Sequence, residues 1–325
     1  MLEKELRADP IPFLLSSNNI AIDFFTRRDL LEEETGSIET LWELPEVKKI
    51  LNRQQEDGYW IYPGRGKEHL HLKEDYNQLE TYRILGQLVE KYGFNSQHPA
   101  IKKAAEYLFS CQTAEGDFRG IYGNQYTPNY SAAIMELLIK SGYKDDSRIK
   151  KGFKWLLSIR QKDGGWTIPF RTISAKCNGD LMFADTIQPD LTKPSSHLAT
   201  GVVLRAFAAH ENYRNIDEAM NAGKFLVSRL FKKDVYPDRN TVEYWTRVSF
   251  PFWFTDIVSA LDALSLIGFT IENPFISDAL NRLAGMQGED GLFNLKLLKT
   301  GDKDLKFWIC LAVCRVFKRL LTIDP

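Results

Sequence analysis

The sequence predicts an all-α protein built from paired helices, and three observations carry that expectation. A short motif, Gln-x-x-x-Gly-x-(Trp or Phe) with an acid just before the Gly, recurs at residues 54–60, 112–118, 160–166 and 287–293, its third copy shifted by one at Gln161. Copies end helical patterns: Ile101, Ala104, Ala105, Leu108 and Phe109 before Gln112, Ile149, Phe153, Leu156 and Leu157 before Arg160, and Ile276, Leu280, Leu283 and Ala284 before Gln287. After each copy come a loop and a second, more apolar helical segment, such as the small and aliphatic run from Ala199 to Leu204. A helix without a polar stripe is buried on most sides. Strand signals are weak.

Taken in order, the N-terminal section predicts helices over about 18–31 and 38–53. The second, apolar helices are expected over about 76–92, 128–142, 196–210, 252–268 and 304–320, for roughly eleven or twelve helices in all. The motif Gly suits a helix C-terminus, where a left-handed residue stops the helix. A degenerate copy at 229–236 would bring the mean interval to about 58 residues.

Loop lengths are asymmetric. Connections into each motif helix are short (141–147, 211–217, 268–274), while those after the motif are long (about 60–74, 118–127, 166–195, 235–250 and 293–303). If the pairs alternate up and down around a ring, every long loop lies on one rim. That rim also receives the N-termini of the apolar helices, whose free N–H groups favour anions. Long loops in a compact protein carry function or are disordered, so the site is expected on that rim and in the cavity below it.

A length of 325 residues alone suggests about two domains, but the repeat accounts for 1–325 as one domain without a linker. A net charge of -1 excludes a strongly basic nucleic-acid binder and a polybasic membrane anchor. No run of about 18 apolar residues is present, and Met1–Glu5 is charged, unlike a signal peptide. The four cysteines, Cys111, Cys177, Cys310 and Cys314, contain no Cys-x-x-Cys and suggest reduced thiols in a cytoplasm.

The four motif copies resemble the QW repeat of squalene and oxidosqualene cyclases and of protein prenyltransferase β subunits. The resemblance implies an (α/α)6 toroid, with inner helices lining a central cavity and outer helices around them. The motif residues themselves read as structural, tying adjacent repeats together. A small hydrophobic ligand, an isoprenoid, is the partner that the resemblance implies. The cyclases carry Asp-x-Asp-Asp at an inner-helix start, and its middle Asp protonates an alkene or epoxide. Here the comparable place before Leu198 reads Lys193-Pro194-Ser195-Ser196-His197. The Asp-x-Cys zinc pattern of the prenyltransferases is also missing.

Asp256, within the aromatic run from Phe250 to Phe254, is the best remaining acid, since apolar neighbours hold a carboxyl neutral and aromatics stabilise a carbocation. The competing reading is a helix-start Asp favoured by the helix dipole. Tyr76, Tyr130, His197, Phe252 and Trp253 are the candidate ligand-binding residues, with repeat-interface packing as the alternative. His69 and His71 alternate on a rim loop and are candidate metal ligands, against a solvated loop. No Gly-rich phosphate loop, dinucleotide fingerprint or Gly-x-Ser-x-Gly occurs, so no nucleotide cofactor is indicated, and a metal is left open. The resemblance leaves three functions open: an isoprenoid-handling enzyme, a non-catalytic lipid- or protein-binding toroid, and a carbohydrate-active toroid using Asp180, Asp185 and Asp256. A membrane-facing entrance bordered by Phe250 to Phe254, as the resemblance to the cyclases implies, would add peripheral membrane contact, although no basic amphipathic helix accompanies it.

Overall fold

A computed structural model describes residues 6–64, 72–173, 179–237, 241–298 and 301–322, with only the backbone of 72–75 and 179–180. The chain is mainly helical. In order the helices are α1 Ile11–Leu15, α2 Ile20–Thr26, α3 Pro45–Leu51, α4 Leu72–Tyr92, α5 Pro99–Ser110, α6 Pro128–Leu138, α7 Ser147–Ser158, α8 Gly179–Phe183, α9 His197–Ala209, α10 Asp217–Arg229, α11 Ile257–Ile267, α12 Pro274–Gly285 and α13 Leu305–Leu321. Short π turns continue α2 (Arg27–Leu31) and α6 (Ile139–Tyr143), so those two expected helices are each divided.

The packing closes on itself. Helix α2 packs against α4, α4 against α6, α6 against α9, α9 against α11, α11 against α13, and α13 against α2. These six form the inner ring. Helices α5, α7 and α10 lie outside on α4, α6 and α9, and α12 packs against α10. The inner helices are buried on most of their circumference: of α9, all but Leu198 and Ala209 are buried. The motif helices are amphipathic, as in α7, whose buried residues are Ile149, Gly152, Phe153, Trp155 and Leu156.

The motif has one geometry in three of its copies. Gln54 Nε2 donates to Gly58 O (2.9 Å) and to Ala100 O in the first turn of α5 (2.8 Å). Gln112 does the same to Gly116 O and Arg148 O (both 2.9 Å), and Gln287 to Gly291 O and Ala8 O (both 3.0 Å). Each Gln therefore closes its own turn and clasps the next outer segment. In the third copy Arg160 Nη1 reaches Gly164 O (3.4 Å), and in the degenerate copy Arg229 Nη2 reaches Lys233 O (2.7 Å). Arginine thus fills the glutamine's place twice, and Gln161 instead holds Asp190 O and Lys193 O (both 2.9 Å). The aromatic's own N–H is received by an inner-helix hydroxyl: Trp60 by Thr81 (3.0 Å), Phe118 by Ser131 (3.0 Å), Trp166 by Thr200 (2.9 Å).

Contrary to the expectation from sequence, the motif Gly does not cap a helix. Helices α3 and α5 stop at Leu51 and Ser110, and Gly58 and Gly116 lie beyond them in tight turns with φ of +92° and +116°. A Cβ on Gly58 would lie 2.2 Å from Lys103 O, so the repeat interface also requires the missing side chain.

Helix α11 starts at Ile257, not near 252. Asp256 and Ser259 form a reciprocal capping box, Ser259 N to Asp256 Oδ1 and Asp256 N to Ser259 Oγ (both 2.9 Å), which fixes the first turn there. Phe252–Thr255 remain a loop, with Phe250 before Pro251 kept from helical backbone. Two short strands, β1 Arg247–Val248 and β2 Lys296–Leu297, pair in parallel and join two long loops. Asn124 N to Met182 O (2.7 Å) joins two more. The long loops therefore sit side by side at the N-terminal ends of the inner helices.

Candidate functional site

A cavity of about 100 Å³ opens at this rim. The N-terminal turns of α6 and α9 supply Asn129, Tyr130, Ala133, Ser196, Leu198, Ala199 and Val202. Loops supply Tyr122, Thr167, Ile168, Arg171, Tyr236, Trp253 and Phe254. Its wall mixes aromatic and polar side chains. Tyr130 packs edge-on against Tyr82 (6.3 Å) and Trp253 (6.4 Å) and tilted against Tyr122 (5.7 Å).

Of the residues named from sequence, Tyr130 and Trp253 line the cavity. Tyr76 does not: it is 38% exposed and stacks on Tyr62 with centroids 4.7 Å apart. Phe252 lies behind the wall, edge-on to Phe250 at 5.6 Å, and does not line it. His197 is buried under the floor, stacked on Trp245 at 4.8 Å, with Nδ1 3.1 Å from Asp234 Oδ2. Burial lowers its pKa to about 4 against the pull of Asp234, so it is a neutral packing residue at pH 7. His69 and His71 lie outside the described residues. Among those described, no group of three or more His, Cys, Asp or Glu is placed to hold a metal ion.

Asp256 is fully buried and does not line the cavity, although Phe254 two residues earlier does. Its Oδ1 serves the α11 cap, and its Oδ2 has no hydrogen-bond partner among the described residues. Desolvation raises its pKa to about 7, opposed by the Ser259 N–H and the Arg205 charge. Both the acid reading and the cap reading of this residue therefore have a structural counterpart.

The stretch that replaces Asp-x-Asp-Asp draws its acids from elsewhere. Asp163 accepts from Ser195 N (2.8 Å) and from the Ser195 hydroxyl. Asp234 Oδ2 accepts from Ser196 Oγ (2.9 Å) and Leu198 N (3.2 Å). Both carboxylates are thus used to hold the start of α9, and no carboxylate lines the cavity among the described residues.

Arg205 of α9 anchors the aromatic loop from beneath. Its Nε donates to Glu136 Oε2 (2.8 Å), Nη2 to Phe252 O (3.2 Å) and Nη1 to Phe254 O (3.4 Å). Sequence reasoning missed Arg205, because an Arg inside an apolar helix gives no sign of which carbonyls it will meet. It also missed Asn129 and Thr167, single polar residues with no pattern around them.

The family model of the squalene-hopene cyclase C-terminal domain matches residues 74–168 and 127–297, more than half of the chain. The chain belongs to this family. Among curated proteins it is similar to a probable squalene–hopene cyclase of Sinorhizobium fredii, 30% identical over 86 residues, which is 26% of this chain and 13% of that protein. It is likewise similar to the squalene–hopene cyclase of Zymomonas mobilis, 29% identical over 79 residues, 24% of this chain and 12% of that protein. The matched segment thus spans about an eighth of these relatives' length. Among solved structures, a protein from Actinoplanes gives a TM-score of 0.33 at 15% identity over 88% of this chain and 100% of that one. The type II terpene cyclase MstE from Scytonema gives 0.33 at 11% identity over 86% and 96%. In this member of the squalene-hopene cyclase C-terminal domain family, no described helix is long and apolar enough to cross a membrane.

Proposed function

We propose that this cyclase-like protein binds one end of an isoprenoid chain in the rim cavity. The observation that carries the reading is the aromatic wall of Tyr122, Tyr130, Tyr236, Trp253 and Phe254 around the opening. Aromatic faces give a flexible hydrocarbon large contact area. Pockets that enclose a drug-sized ligand measure roughly 300–1,000 Å³. At about 100 Å³ this cavity takes an end group, and the rest of the chain runs out over the rim. Ile61, Ile173, Phe183 and Val235 are exposed on the long loops and supply apolar surface for that chain. They also suit contact with the lipid surface from which such a ligand would be drawn. Tryptophan fluorescence titration and native mass spectrometry with isoprenoids of increasing length test this. Trp253→Ala is expected to weaken binding by at least about tenfold, and failure of every isoprenoid to bind the intact protein removes the reading.

A second reading is cyclisation begun by Asp256. It is favoured by the buried carboxyl with a pKa of about 7 and an unpartnered Oδ2, a state suited to proton donation. Incubation with squalene, farnesyl diphosphate and geranylgeranyl diphosphate decides it. Product that disappears in Asp256→Asn supports the acid role, and product that persists excludes Asp256 from the mechanism.

A further inference from the structure

We propose that a groove beside residues 242–246 holds the hydrocarbon tail of the ligand whose end group sits in the rim cavity, so that the ligand class is a long-chain isoprenoid. This rests on the isoprenoid reading above and goes further by placing the tail and setting its length. The groove lies between the turn Val242–Thr246 and the C-terminal end of α12, and it measures about 450 Å³. Its apolar lining is Phe231, Val242, Gly285 and Met286. The polar groups beside them are already paired: Arg282 with Asp278 (2.9 Å), Glu243 with Arg247 (3.5 Å), and the Thr246 hydroxyl with Glu243 O (3.2 Å). Among the described residues, no side chain that lines the groove is buried without a hydrogen-bond partner. A hydrocarbon therefore enters without stranding a polar group.

The groove forms where the repeat changes. In the first two motif copies a glutamine clasps the second residue of the next outer helix, at Ala100 O and Arg148 O. In the degenerate copy Arg229 closes only its own turn, and no side chain bonds to the comparable Phe275 O among the described residues. Helix α12 instead meets this turn near its C-terminal end, where Arg282 lies 4.7 Å over the Phe231 ring. Phe231 is held there at φ +57°, a backbone conformation that bulky residues rarely adopt. Cavity and groove share the segment between them: Tyr244 packs edge-on to Phe254 of the cavity wall (6.0 Å), while Val242 and Thr246 line the groove. Volume then sets the length. An apolar cavity of roughly 150 Å³ holds one benzene. By that measure the groove takes about eighteen carbons and the rim cavity fewer than six, so a chain of about twenty carbons fills both.

The experiment measures binding of geraniol, farnesol and geranylgeraniol, which share one head group and differ in length, by tryptophan fluorescence titration of the intact protein and of Gly285→Phe. A Cβ on Gly285 meets nothing within 4 Å and the residue is exposed, so the added ring occupies the groove without disturbing the core. Each added isoprene unit buries more apolar carbon, so each step in length is expected to tighten wild-type binding by at least about tenfold. Gly285→Phe is expected to leave geraniol unchanged and to weaken geranylgeraniol by at least about tenfold. Val242→Asp, at a 40% exposed position, sets a carboxylate in the groove; it serves if the first variant does not fold and should act alike. Unchanged geranylgeraniol affinity in a folded variant, or no gain with length in the wild type, overturns this inference while isoprenoid binding stands. A wild-type dimer that Gly285→Phe makes monomeric assigns the groove to a second copy and likewise overturns it. Binding of none of the three overturns both.

Discussion

Asp256 combines two demands at one residue: its Oδ1 caps α11, while its Oδ2 is held out of water without a partner. The stability consequence has a definite sign. An unfolded aspartate ionises near pH 4, whereas burial holds the folded carboxyl at about 7. Between these values the folded state keeps a proton that the unfolded state has lost, so stability falls as pH rises across the window. Asp256→Asn preserves the cap acceptor and removes the titration. Its advantage over the wild type should be small at pH 4, grow to pH 7 and then level off, at no more than about 4 kcal/mol. Urea unfolding at three pH values measures this, and a pH-independent difference would refute it. His197 acts with the opposite sign: its folded pKa of about 4 lies below the ordinary value, so its contribution is lost as pH falls through the range between them. At this scale the sequence was partly legible. Aromatic clustering pointed to Tyr130 and Trp253, whereas Tyr76 and Phe252 belong to the same cluster in sequence but face other rings. Which aromatic meets the cavity depends on side-chain direction, and composition carries no information about that.

The loop before α11 shows how one element positions another. Phe252–Thr255 is held by Arg205 from α9, which in turn rests on Glu136 from α6, so three consecutive inner helices fix the aromatic wall. Both members of the ion pair are buried. Removing Arg205 leaves Glu136 with Lys140 Nζ (2.8 Å) as its remaining cation and two loop carbonyls without their donor, so Arg205→Met should destabilise by about 3 kcal/mol. Replacing both, Arg205→Met with Glu136→Leu, should regain most of that loss, since an apolar pair can substitute for a buried ion pair. Calorimetric melting of the two variants checks this. A double variant as unstable as the single one would show that the two carbonyl contacts, not the paired charge, dominate. Helix identity at this scale followed from periodicity, and boundaries shifted where a local device acted: the capping box moved the start of α11, and the π turns divided α2 and α6 from their expected continuations.

The ring closes where the first and last segments meet. Ala8 N donates to Gln287 Oε1 (3.1 Å) while Gln287 Nε2 donates back to Ala8 O, Phe13 stacks on Phe307 at 4.8 Å, and Asn19 Nδ2 donates to Asp304 Oδ2 (2.8 Å). Deleting residues 1–18 should therefore open this seam, lowering the melting temperature by roughly 6 °C or more for a loss of at least ~3 kcal/mol, with new tryptic cleavage at Arg315 or Lys318. An unchanged melting temperature would show that the seam is not part of the cooperative unit. By itself the sequence determined the all-α class, the pairing of motif helices with apolar helices, and the gathering of long loops at one end. It could do so because periodicity, glycine and spacing act over a few residues and repeat along the chain. Only the tertiary structure decided which arginines replace glutamine in the motif, which carboxylates hold the start of α9, and which aromatic and polar side chains meet at the cavity. Those outcomes depend on atoms far apart in the chain meeting within about 3 Å, and on burial, which makes an unmet hydrogen bond costly.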